Sequence, residues 1–395
     1  HWTFAFVTLV VLTYIGLQEP FVKEILKLKS FDILIQQEEK ELSSDIGIVT
    51  IDEKSIEKYG QWPWKRDVIA EVISNLRQSG AGVIMIPILF SEEDRLGGDD
   101  ILSQTLIDNG VVIAQVGTSQ INKNSVPRGV AKIGNPLPYL FEWDGMLGPI
   151  PKLGQNANGV GVINTAPEID GVVRRIPLIM RIGQDTYPTM AVEVIRVATG
   201  NPSYQVKAGD GGVQAIRVPG FPIINTDPNA RIWLHWNKQF ETISASENNF
   251  SKFEGRTVII GMTAEGLGGI IGTPVGEQYD YMLSASTLQT MIDGKQINRY
   301  DVSSFLELVL SFVLGILVIL IARFTPYWFV GLSLLSLYGI SVYGSYYLFN
   351  THLILSDVSW IIIVITIVGM HSIFNRFILE FRLKQQIRKQ FETYL

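Results

Sequence analysis

Three long apolar runs in the C-terminal third of the sequence constrain the fold more than any other feature. They cover residues 302–322, 327–349 and 353–374, and each holds roughly the 20 mostly apolar residues that a membrane-spanning helix needs. A shorter run, residues 1–17, starts within apolar sequence and lacks the basic region and cleavage site of a signal peptide. We interpret it as an additional transmembrane helix, truncated at its N-terminus. Along the chain it is the first of four, and residues 302–322, 327–349 and 353–374 form the second, third and fourth. The pattern predicts a four-helix all-α transmembrane region interrupted by residues 18–300.

The distribution of Lys and Arg predicts the orientation of these helices. Arg323 follows the second helix, whereas residues 350–352, between the third and fourth, contain no Lys or Arg. The segment after the fourth helix is basic, with Arg376, Arg382, Lys384, Arg388 and Lys389. The positive-inside rule therefore places residues 375–395 in the cytoplasm and residues 18–300 outside. We expect a multi-pass protein of the bacterial inner membrane with a periplasmic domain.

Composition excludes several functional classes. The net charge of −6 argues against nucleic acid as a partner. The absence of Cys excludes disulfides, thiolate nucleophiles and Cys-ligated metals. The four histidines, His1, His235, His352 and His371, are far apart in the sequence, so we expect no His-rich metal site. The sequence therefore predicts a chain with no cofactor or metal of its own.

Residues 18–300 alternate between strand-like and helix-like patterns. Asp45–Asp52 and Gly82–Phe90 have the composition of buried strands, and Arg66–Leu76 has apolar residues at helical spacing. Further strands are predicted at Val111–Val116 and Arg256–Gly261, and further helices at Ile101–Ile107, Thr189–Ala198 and Ser284–Ile292. The alternation predicts an α/β domain with a mostly parallel sheet and flanking helices. Such sheets bind ligands at the carboxyl ends of their strands, which directs attention to Asp52, Phe90–Asp94 and Met262–Leu267.

Two stretches allow alternative interpretations. The acidic residues of Ser91–Asp100 could bind Ca²⁺ through their oxygen atoms or form a solvated loop. Their spacing does not match an EF-hand, which favours the solvated loop. Trp62 and Trp64 could stack on a ligand or pack against the sheet beside a proline turn, and packing is the favoured interpretation. Glu307 is either an intramembrane acid or a residue at the membrane boundary.

Several ordered motifs add a family resemblance. IDEKS spans Ile51–Ser55, GQWPWKR spans Gly60–Arg66, and GAGVI and LFSE follow at Gly80–Ile84 and Leu89–Glu92. Together with the motifs described next, they resemble the second family of CHASE domains (cyclase/histidine-kinase-associated sensing extracellular). In that family a sensor domain follows one transmembrane helix and precedes three, which is also the arrangement predicted here.

The later motifs extend the resemblance over nearly the whole chain. IDGVVRRIPL at Ile169–Leu178 and GMTAEGLGGIIGTPVG at Gly261–Gly276 are similar to two further blocks of the family. The sequence departs from the family pattern at Gly269, where an Asp is expected, at Pro87, and at Gln278–Ala285. The resemblance implies a sensor of an unknown periplasmic signal, with ligand-sensing candidates Asp52, Trp62, Trp64, Arg66, Phe90, Glu92, Thr263, Glu265 and Thr273.

The basic tail suggests the output. Ile387–Leu395, IRKQFETYL, resembles the linker directly before class III adenylate cyclase catalytic domains. An apolar residue recurs every four positions, so the tail could pair with its copy in a parallel homodimer. The signal-coupling candidates are Leu383, Ile387, Arg388, Phe391, Tyr394 and Leu395. A simpler alternative is a juxtamembrane helix that binds anionic lipid.

The resemblance implies a cytoplasmic cyclase domain beyond residue 395 that makes cyclic AMP from ATP with Mg²⁺ or Mn²⁺. We expect no catalytic residue within the chain itself. Alternative outputs are a histidine kinase and a diguanylate cyclase, although the tail contains neither an H-E phosphoacceptor nor a GG-[DE]-EF motif. A membrane-anchored binding or structural protein without enzymatic output is the third alternative.

Overall fold

The computed structural model describes residues 2–120 and 125–394, with side chains except at residues 391–394. It divides into two compact units, a helical unit of His1–Gln37 with Asn298–Leu395 and an α/β unit of Glu38–Ile297. The α/β unit is shorter than the external segment predicted at residues 18–300. The reason is that Phe21–Ile35 forms a helix that groups with the helical unit.

The secondary structure elements are numbered along the chain. The α-helices are α1 (Trp2–Leu17), α2 (Phe21–Ile35), α3 (Glu53–Tyr59), α4 (Arg66–Gln78), α5 (Asp99–Leu106), α6 (Pro151–Asn156), α7 (Met190–Ala198), α8 (Tyr281–Asp293), α9 (Ser303–Phe324), α10 (Tyr327–His352) and α11 (Ser359–Tyr394). The strands are β1 (Glu41–Ile51), β2 (Ile84–Ile86), β3 (Val111–Thr118), β4 (Val130–Ile133), β5 (Phe141–Glu142), β6 (Gly145–Leu147), β7 (Gly159–Val162), β8 (Arg175–Pro177), β9 (Ile179–Ile182), β10 (Asp185–Pro188), β11 (Tyr204–Gly209), β12 (Gly212–Arg217), β13 (Ile224–Asn225), β14 (Arg231–Trp233), β15 (Lys238–Ser244), β16 (Thr257–Met262), β17 (Ile270–Thr273) and β18 (Gly276–Tyr279).

A seven-stranded sheet forms the centre of the α/β unit. Its order is β15-β1-β16-β2-β3-β6, with β7 also paired to β3. The pairings are parallel except that of β3 with β6. The paired parts of the central strands are mainly apolar and buried, as expected where both sheet faces are covered. Ile48 of β1, for example, pairs with Ile259 of β16. Ile69, Ile73 and Leu76 of α4 are buried in the core beside this sheet, at the helical spacing that the sequence predicted.

The predicted strand at Gly82–Phe90 is shorter in the structure, where it covers only Ile84–Ile86. Pro87 follows directly, and a proline has no N–H to donate to a neighbouring strand. The chain leaves the sheet at this point, although Ile88 and Phe90 remain buried. The apolar run thus reflects burial more than strand length.

Smaller sheets occupy much of the remaining α/β unit, and the sequence patterns did not predict them. Their strand orders are β10-β9-β5, β13-β12-β11-β4, β14-β8 and β17-β18. Most of these strands are only two to four residues long. Such short segments contain too few residues for an apolar alternation to be recognised.

The helical unit contains three helices, α9, α10 and α11, that are long and apolar enough to cross a membrane. Helices α1 and α2 form a pair bent by 77°, which passes the same test only when both are taken together. Within the unit, Leu9 of α1 packs against Gly315 of α9, where a Cβ would overlap the leucine side chain. Val364 and Val368 of α11 are buried in the same apolar cluster.

The fourth apolar run begins its helix later than predicted. Residues 353–374 were expected to be helical, but Leu353 adopts a φ of +53° and α11 begins at Ser359. Asp357 stabilises this start because its Oδ1 accepts hydrogen bonds from the backbone N–H and hydroxyl of Ser359, at 2.8 and 2.6 Å. The helix then continues to Tyr394, so the transmembrane helix predicted at 353–374 and the coupling helix predicted at 375–395 are joined in α11.

Candidate ligand-sensing site

Arg66 organises the acidic loop that was considered as a cation site. Its guanidinium donates hydrogen bonds to the Asp99 carboxylate and the Glu92 carbonyl, and lies 5.3 Å from the ring centre of Phe90. Its backbone N–H donates to Asp94 Oδ2 at 2.9 Å. The carboxylates of Asp94 and Asp99 are thus bonded to the start of α4, and that of Asp100 pairs with Lys152. Among the residues that the structure describes, no group of three or more His, Asp or Glu side chains could hold a metal ion.

The two tryptophans of the GQWPWKR motif pack together. Their rings meet edge to face with centroids 5.4 Å apart, and Trp64 also contacts the Tyr59 ring at 5.1 Å. Trp64 is buried, and its Nε1–H donates to the Gly60 carbonyl at 2.7 Å. Trp62 packs against the main core. These contacts support packing over ligand stacking.

A second group of predicted residues meets where β1 and β16 end. Asp52 accepts a hydrogen bond from the Ser244 hydroxyl at 2.6 Å and caps α3. The Thr263 N–H donates to the carbonyl of the last residue of β1 at 3.0 Å. The Glu265 N–H donates to Glu53 Oε1 at 2.7 Å. This group occupies the strand ends expected for a ligand site, but its polar atoms hold the local loops together.

Thr273 lies apart from both groups, in the β17–β18 hairpin. Its hydroxyl donates to the Gly276 carbonyl at 2.5 Å and so closes the turn. The nine candidates therefore do not form one site: Asp52, Thr263 and Glu265 meet at the strand ends, Arg66 contacts Phe90 and Glu92, and Thr273 lies in the β17–β18 hairpin.

A cleft of about 450 Å³ lies between β15, β1, the β17–β18 hairpin and α8. Its volume is within the range of small-molecule sites. Sequence reasoning missed it because its residues come from four distant segments; the aromatic run WLHWNK at 233–238 was the available signal. Its walls are formed by Lys40, Leu42, Ile48, Trp236, Asn237, Lys238, Gln239, Phe240, Thr242, Val275, Gln278, Tyr281, Met282 and Ser286.

The cleft wall contains polar groups that are not paired. The buried Trp236 Nε1–H and the buried Asn237 Oδ1 have no hydrogen-bond partner within residues 2–120 and 125–390. Lys238, in contrast, is paired with Glu41 at 2.6 Å, and this hydrogen bond raises the lysine pKa. Burial raises the pKa of Tyr281 to about 12, so its hydroxyl stays protonated at neutral pH. The cleft thus has an aromatic lining that includes Trp236, Phe240 and Tyr281, while the unpaired Trp236 Nε1 and Asn237 Oδ1 atoms are enclosed by the protein.

One departure from the family pattern has a structural explanation close to this cleft. A Cβ at Gly269 would lie 2.5 Å from Asp280 Oδ2. The Asp280 N–H also donates to the Gly269 carbonyl at 2.8 Å. The Asp280 carboxylate therefore fills the space beside residue 269, where the resemblance led us to expect an acidic side chain.

His235 directly precedes the cleft residues and is buried. Its Nδ1 lies 2.6 Å from Glu38 Oε1, and its Nε2 lies 2.8 Å from the Lys295 carbonyl. Its backbone N–H donates to the Thr290 hydroxyl at 3.1 Å. Sequence reasoning did not single out His235 among the four histidines, because it lies far from any recognised motif.

A polar cluster in the helical unit connects the starts of α9 and α11. Arg299 donates to both oxygens of Glu307, at 2.8 and 3.0 Å, and to the Leu355 carbonyl at 3.2 Å. Glu307 Oε1 also accepts a hydrogen bond from the Asp357 N–H at 2.7 Å. Glu307 is therefore a paired carboxylate near the start of α9. The Arg299 guanidinium also lies 5.1 Å from the ring centre of Phe31 in α2.

The predicted signal-coupling residues lie on the last part of α11. Leu383 and Ile387 are exposed apolar side chains in the described chain, and Arg388 is also exposed. The side chains of Phe391 and Tyr394, and residue Leu395, lie outside the described structure. An exposed apolar pair on a basic helix remains compatible with the predicted pairing surface.

Comparison with protein families gives one match. The family model of the CHASE2 domain matches residues 5–322, most of the chain. No curated protein and no solved structure matches this chain. The match covers the α/β unit together with α1 and most of α9. It confirms the predicted CHASE-type sensor domain. Such a domain indicates a signal receptor, and the helices that could cross a membrane fit a membrane anchor. The chain belongs to the CHASE2 domain family.

Proposed function

We propose that this chain senses a periplasmic signal and regulates a cytoplasmic class III adenylate cyclase. The continuity of α11 is the observation that carries the proposal. The helix has 36 residues, about 54 Å at 1.5 Å per residue, whereas the hydrocarbon core of a bilayer is about 30 Å thick. A helix of this length can cross the membrane and continue beyond it without a break. A shift at its start would therefore be transmitted to its basic end.

In this proposal the polar cluster around Arg299 is the input to this helix. Arg299 follows the last residue of the α/β unit, Ile297, by two positions. Through Glu307 it is hydrogen-bonded to the segment that leads into α11. A displacement of the chain where it leaves the sensor would thus act on the start of α11. Buried ion pairs suit this role because only a few arrangements satisfy both charges.

The proposed topology has four spans. We take the bent pair α1–α2 to contribute the first span, with the C-terminus in the cytoplasm of a bacterium, and we take the receptor to be a parallel homodimer. The basic residues after α11 and the apolar pair Leu383 and Ile387 support these assignments. Mg²⁺ or Mn²⁺ with ATP would be required by the cyclase domain and not by this chain.

We further propose that the cleft beside β15 is the ligand site. The aromatic side chains Trp236, Phe240 and Tyr281 in its lining, beside polar residues such as Gln239 and Gln278, favour a small aromatic ligand that carries a polar group. A thermal-shift screen of the solubilised chain with small aromatic acids and amides tests this. A compound that stabilises the wild type but not a Thr242→Trp variant, whose indole would fill the cleft, supports the site. Equal stabilisation of both proteins contradicts it.

The cyclase output is tested with the full gene product that contains this chain. Membranes from a cyclase-deficient bacterium that expresses it should form cyclic AMP from ATP with Mg²⁺ or Mn²⁺. Cyclic di-GMP formation or phosphotransfer by the same membranes would instead identify one of the alternative outputs. Absence of all three activities would favour a non-enzymatic anchored protein.

A further inference from the structure

The buried His235 has a hydrogen-bond acceptor at each ring nitrogen. The Lys295 carbonyl at Nε2 can only accept, so Nε2 carries a hydrogen. At Nδ1 the 2.6 Å contact with Glu38 Oε1 also contains a hydrogen, held either by the ring or by the carboxyl group. In both cases His235 and Glu38 together hold one proton more than a neutral histidine beside a carboxylate. Both ring nitrogens of His235 are therefore hydrogen-bonded at the same time only when the pair holds this additional proton.

Loss of that proton breaks one of the two contacts. A neutral imidazole has a single N–H. If the hydrogen stays on Nε2, the lone pair of Nδ1 faces the Glu38 carboxylate; if it moves to Nδ1, the Lys295 carbonyl loses its donor. Only the protonated pair can hold Glu38 and Lys295 at the same time.

The two partners of His235 stand at the two ends of the α/β unit. Glu38 is its first residue, and Lys295 is two positions before its last, Ile297. His235 thus clamps the incoming chain segment to the outgoing one. We name this arrangement of Glu38, His235 and Lys295 the chain-end clamp.

The charged groups around the clamp come from the same segments. Beside Glu38, they include Glu41 of β1, Lys238 of β15 and Asp293 of α8, which form an ion-paired group. The Lys295 side chain acts electrostatically on Glu41. Thr290 of α8 contributes a neutral hydroxyl. Glu41, Lys238 and Asp293 are already paired with one another, so the additional proton of the clamp is shared between His235 and Glu38.

We propose that the chain-end clamp is a proton-binding site through which the receptor responds to external acidity. The clamp closes when the proton is bound and releases one chain end when it is lost. The proposal rests on the proposed receptor function, for which it names a signal. The proton binding itself is a property of this chain and does not require any particular output.

Hydrogen exchange of the full chain in lipid nanodiscs tests the clamp independently of any enzymatic output. The amides of residues 39–42 and 235–238 are followed by mass spectrometry at pH 5, 6, 7 and 8, with rates divided by the intrinsic rate at each pH. We expect the protection of these segments to fall about tenfold from pH 5 to pH 8, since a charge-assisted hydrogen bond is lost. Constant protection over this range overturns the proposal.

Two variants separate proton binding from simple packing. His235→Gln cannot titrate, so its protection should not vary with pH. In Glu38→Gln the amide can donate to Nδ1 of a neutral His235 while Nε2–H still binds the Lys295 carbonyl. This variant should therefore keep its protection at pH 8, where the wild type loses it. If His235→Gln fails to fold, the protection of Glu38→Gln at pH 8 alone decides between proton binding and simple packing.

Matched controls are the exposed neighbour Glu39→Gln and the exposed histidine variant His352→Gln. Both should retain the pH dependence of the wild type. A wild-type pH dependence that persists in Glu38→Gln would contradict the proposal. If the clamp behaves as proposed while no cyclic AMP is formed, the proton site stands and only the assigned output is wrong.

Discussion

At the residue scale, the motif positions of this protein mainly hold its own structure together. Arg66 binds the acidic loop, and the fully buried Arg174 donates to both oxygens of Asp170, at 2.7 and 2.8 Å. The next residue, Arg175, pairs with Glu168 at 2.6 and 2.8 Å. A charge removed from water must be paired, which accounts for the Arg and acidic residues within these motifs.

Substitution of Arg66 should therefore destabilise the α/β unit. Arg66→Ala leaves the Asp99 carboxylate, which is only 18% exposed, without its cation. We expect a loss of about 3 kcal/mol in the free energy of unfolding, measured by denaturation of the solubilised full chain. The exposed Arg95 is the matched control, and Arg95→Ala should change stability by less than about 0.5 kcal/mol. Equal effects of the two substitutions would show that the Arg66 contacts are not stabilising.

Glu168 gives a prediction on pH dependence. Burial by itself raises the Glu168 pKa, but the hydrogen bonds and charge of Arg175 outweigh it, so the pKa is lowered from its ordinary value of 4.5. A carboxylate of this kind stabilises the fold above its unfolded pKa, and the stabilisation is lost as the pH falls through the lower, folded pKa. The wild type should be more stable than Glu168→Gln at pH 7, and the difference should close as the pH falls below about 4.5.

Thermal unfolding of both proteins from pH 3 to pH 7 measures that difference. Glu247→Gln, at an exposed position, should show no such dependence. A gap between wild type and Glu168→Gln that is constant over the whole range would exclude the Arg175 pairing as its cause.

The sequence located these residues without revealing their roles. Asp52, Arg66 and Glu92 stood out through their motifs, yet their polar groups are used by neighbouring loops. The cleft and His235 were missed because each depends on contacts between residues far apart in sequence. Spacing along a chain carries information on local periodicity, whereas such contacts are determined by the tertiary fold.

At the element scale, the most consequential contact is the ion pair between Arg299 and Glu307. It connects the segment before α9 with the segment before α11. Arg299→Met and Glu307→Met should each cost about 3 kcal/mol, because one charge is left buried and unpaired. The double variant should cost less than either single variant, since no unpaired charge remains.

Thermal unfolding in nanodiscs measures these three proteins. Lys65→Met serves as control, because the Lys65–Asp67 pair is exposed and its loss should cost less than about 1 kcal/mol. Additive losses in the double variant would indicate that the two side chains stabilise the protein independently.

Long elements were predictable and short ones were not. Helix α4 and the long strand β1 were recognised by their apolar patterns, and the three apolar helices α9, α10 and α11 were recognised by length. The end of β2 was not predicted because burial continues past Pro87. The continuity of α11 was missed because its composition changes from apolar to basic while the backbone stays helical.

At the scale of the whole molecule, the predicted CHASE-type sensor is confirmed, and its output remains a prediction. The proposed dimer is tested by cross-linking of the full chain in membranes. Because the chain contains no Cys, a single introduced Cys gives a clean result. Ile387→Cys and Leu383→Cys should form disulfide-linked dimers on oxidation.

Gln385→Cys provides the matched control on the same helix. It lies about 200° around the helix from both positions and should cross-link poorly. Equal cross-linking at residues 383, 385 and 387 would indicate random collision. No cross-linking at any position would count against a parallel pair of helices.

The proposed receptor requires the α/β unit and the basic end of α11 to lie on opposite sides of the bilayer. Labelling of the single variants Glu247→Cys and Gln385→Cys with a membrane-impermeant maleimide measures this directly. Spheroplasts keep the inner membrane intact, so Glu247→Cys should react in intact spheroplasts and Gln385→Cys only after lysis. Labelling of both positions, or of Gln385→Cys alone, in intact spheroplasts would contradict the proposed transfer of a signal across the membrane.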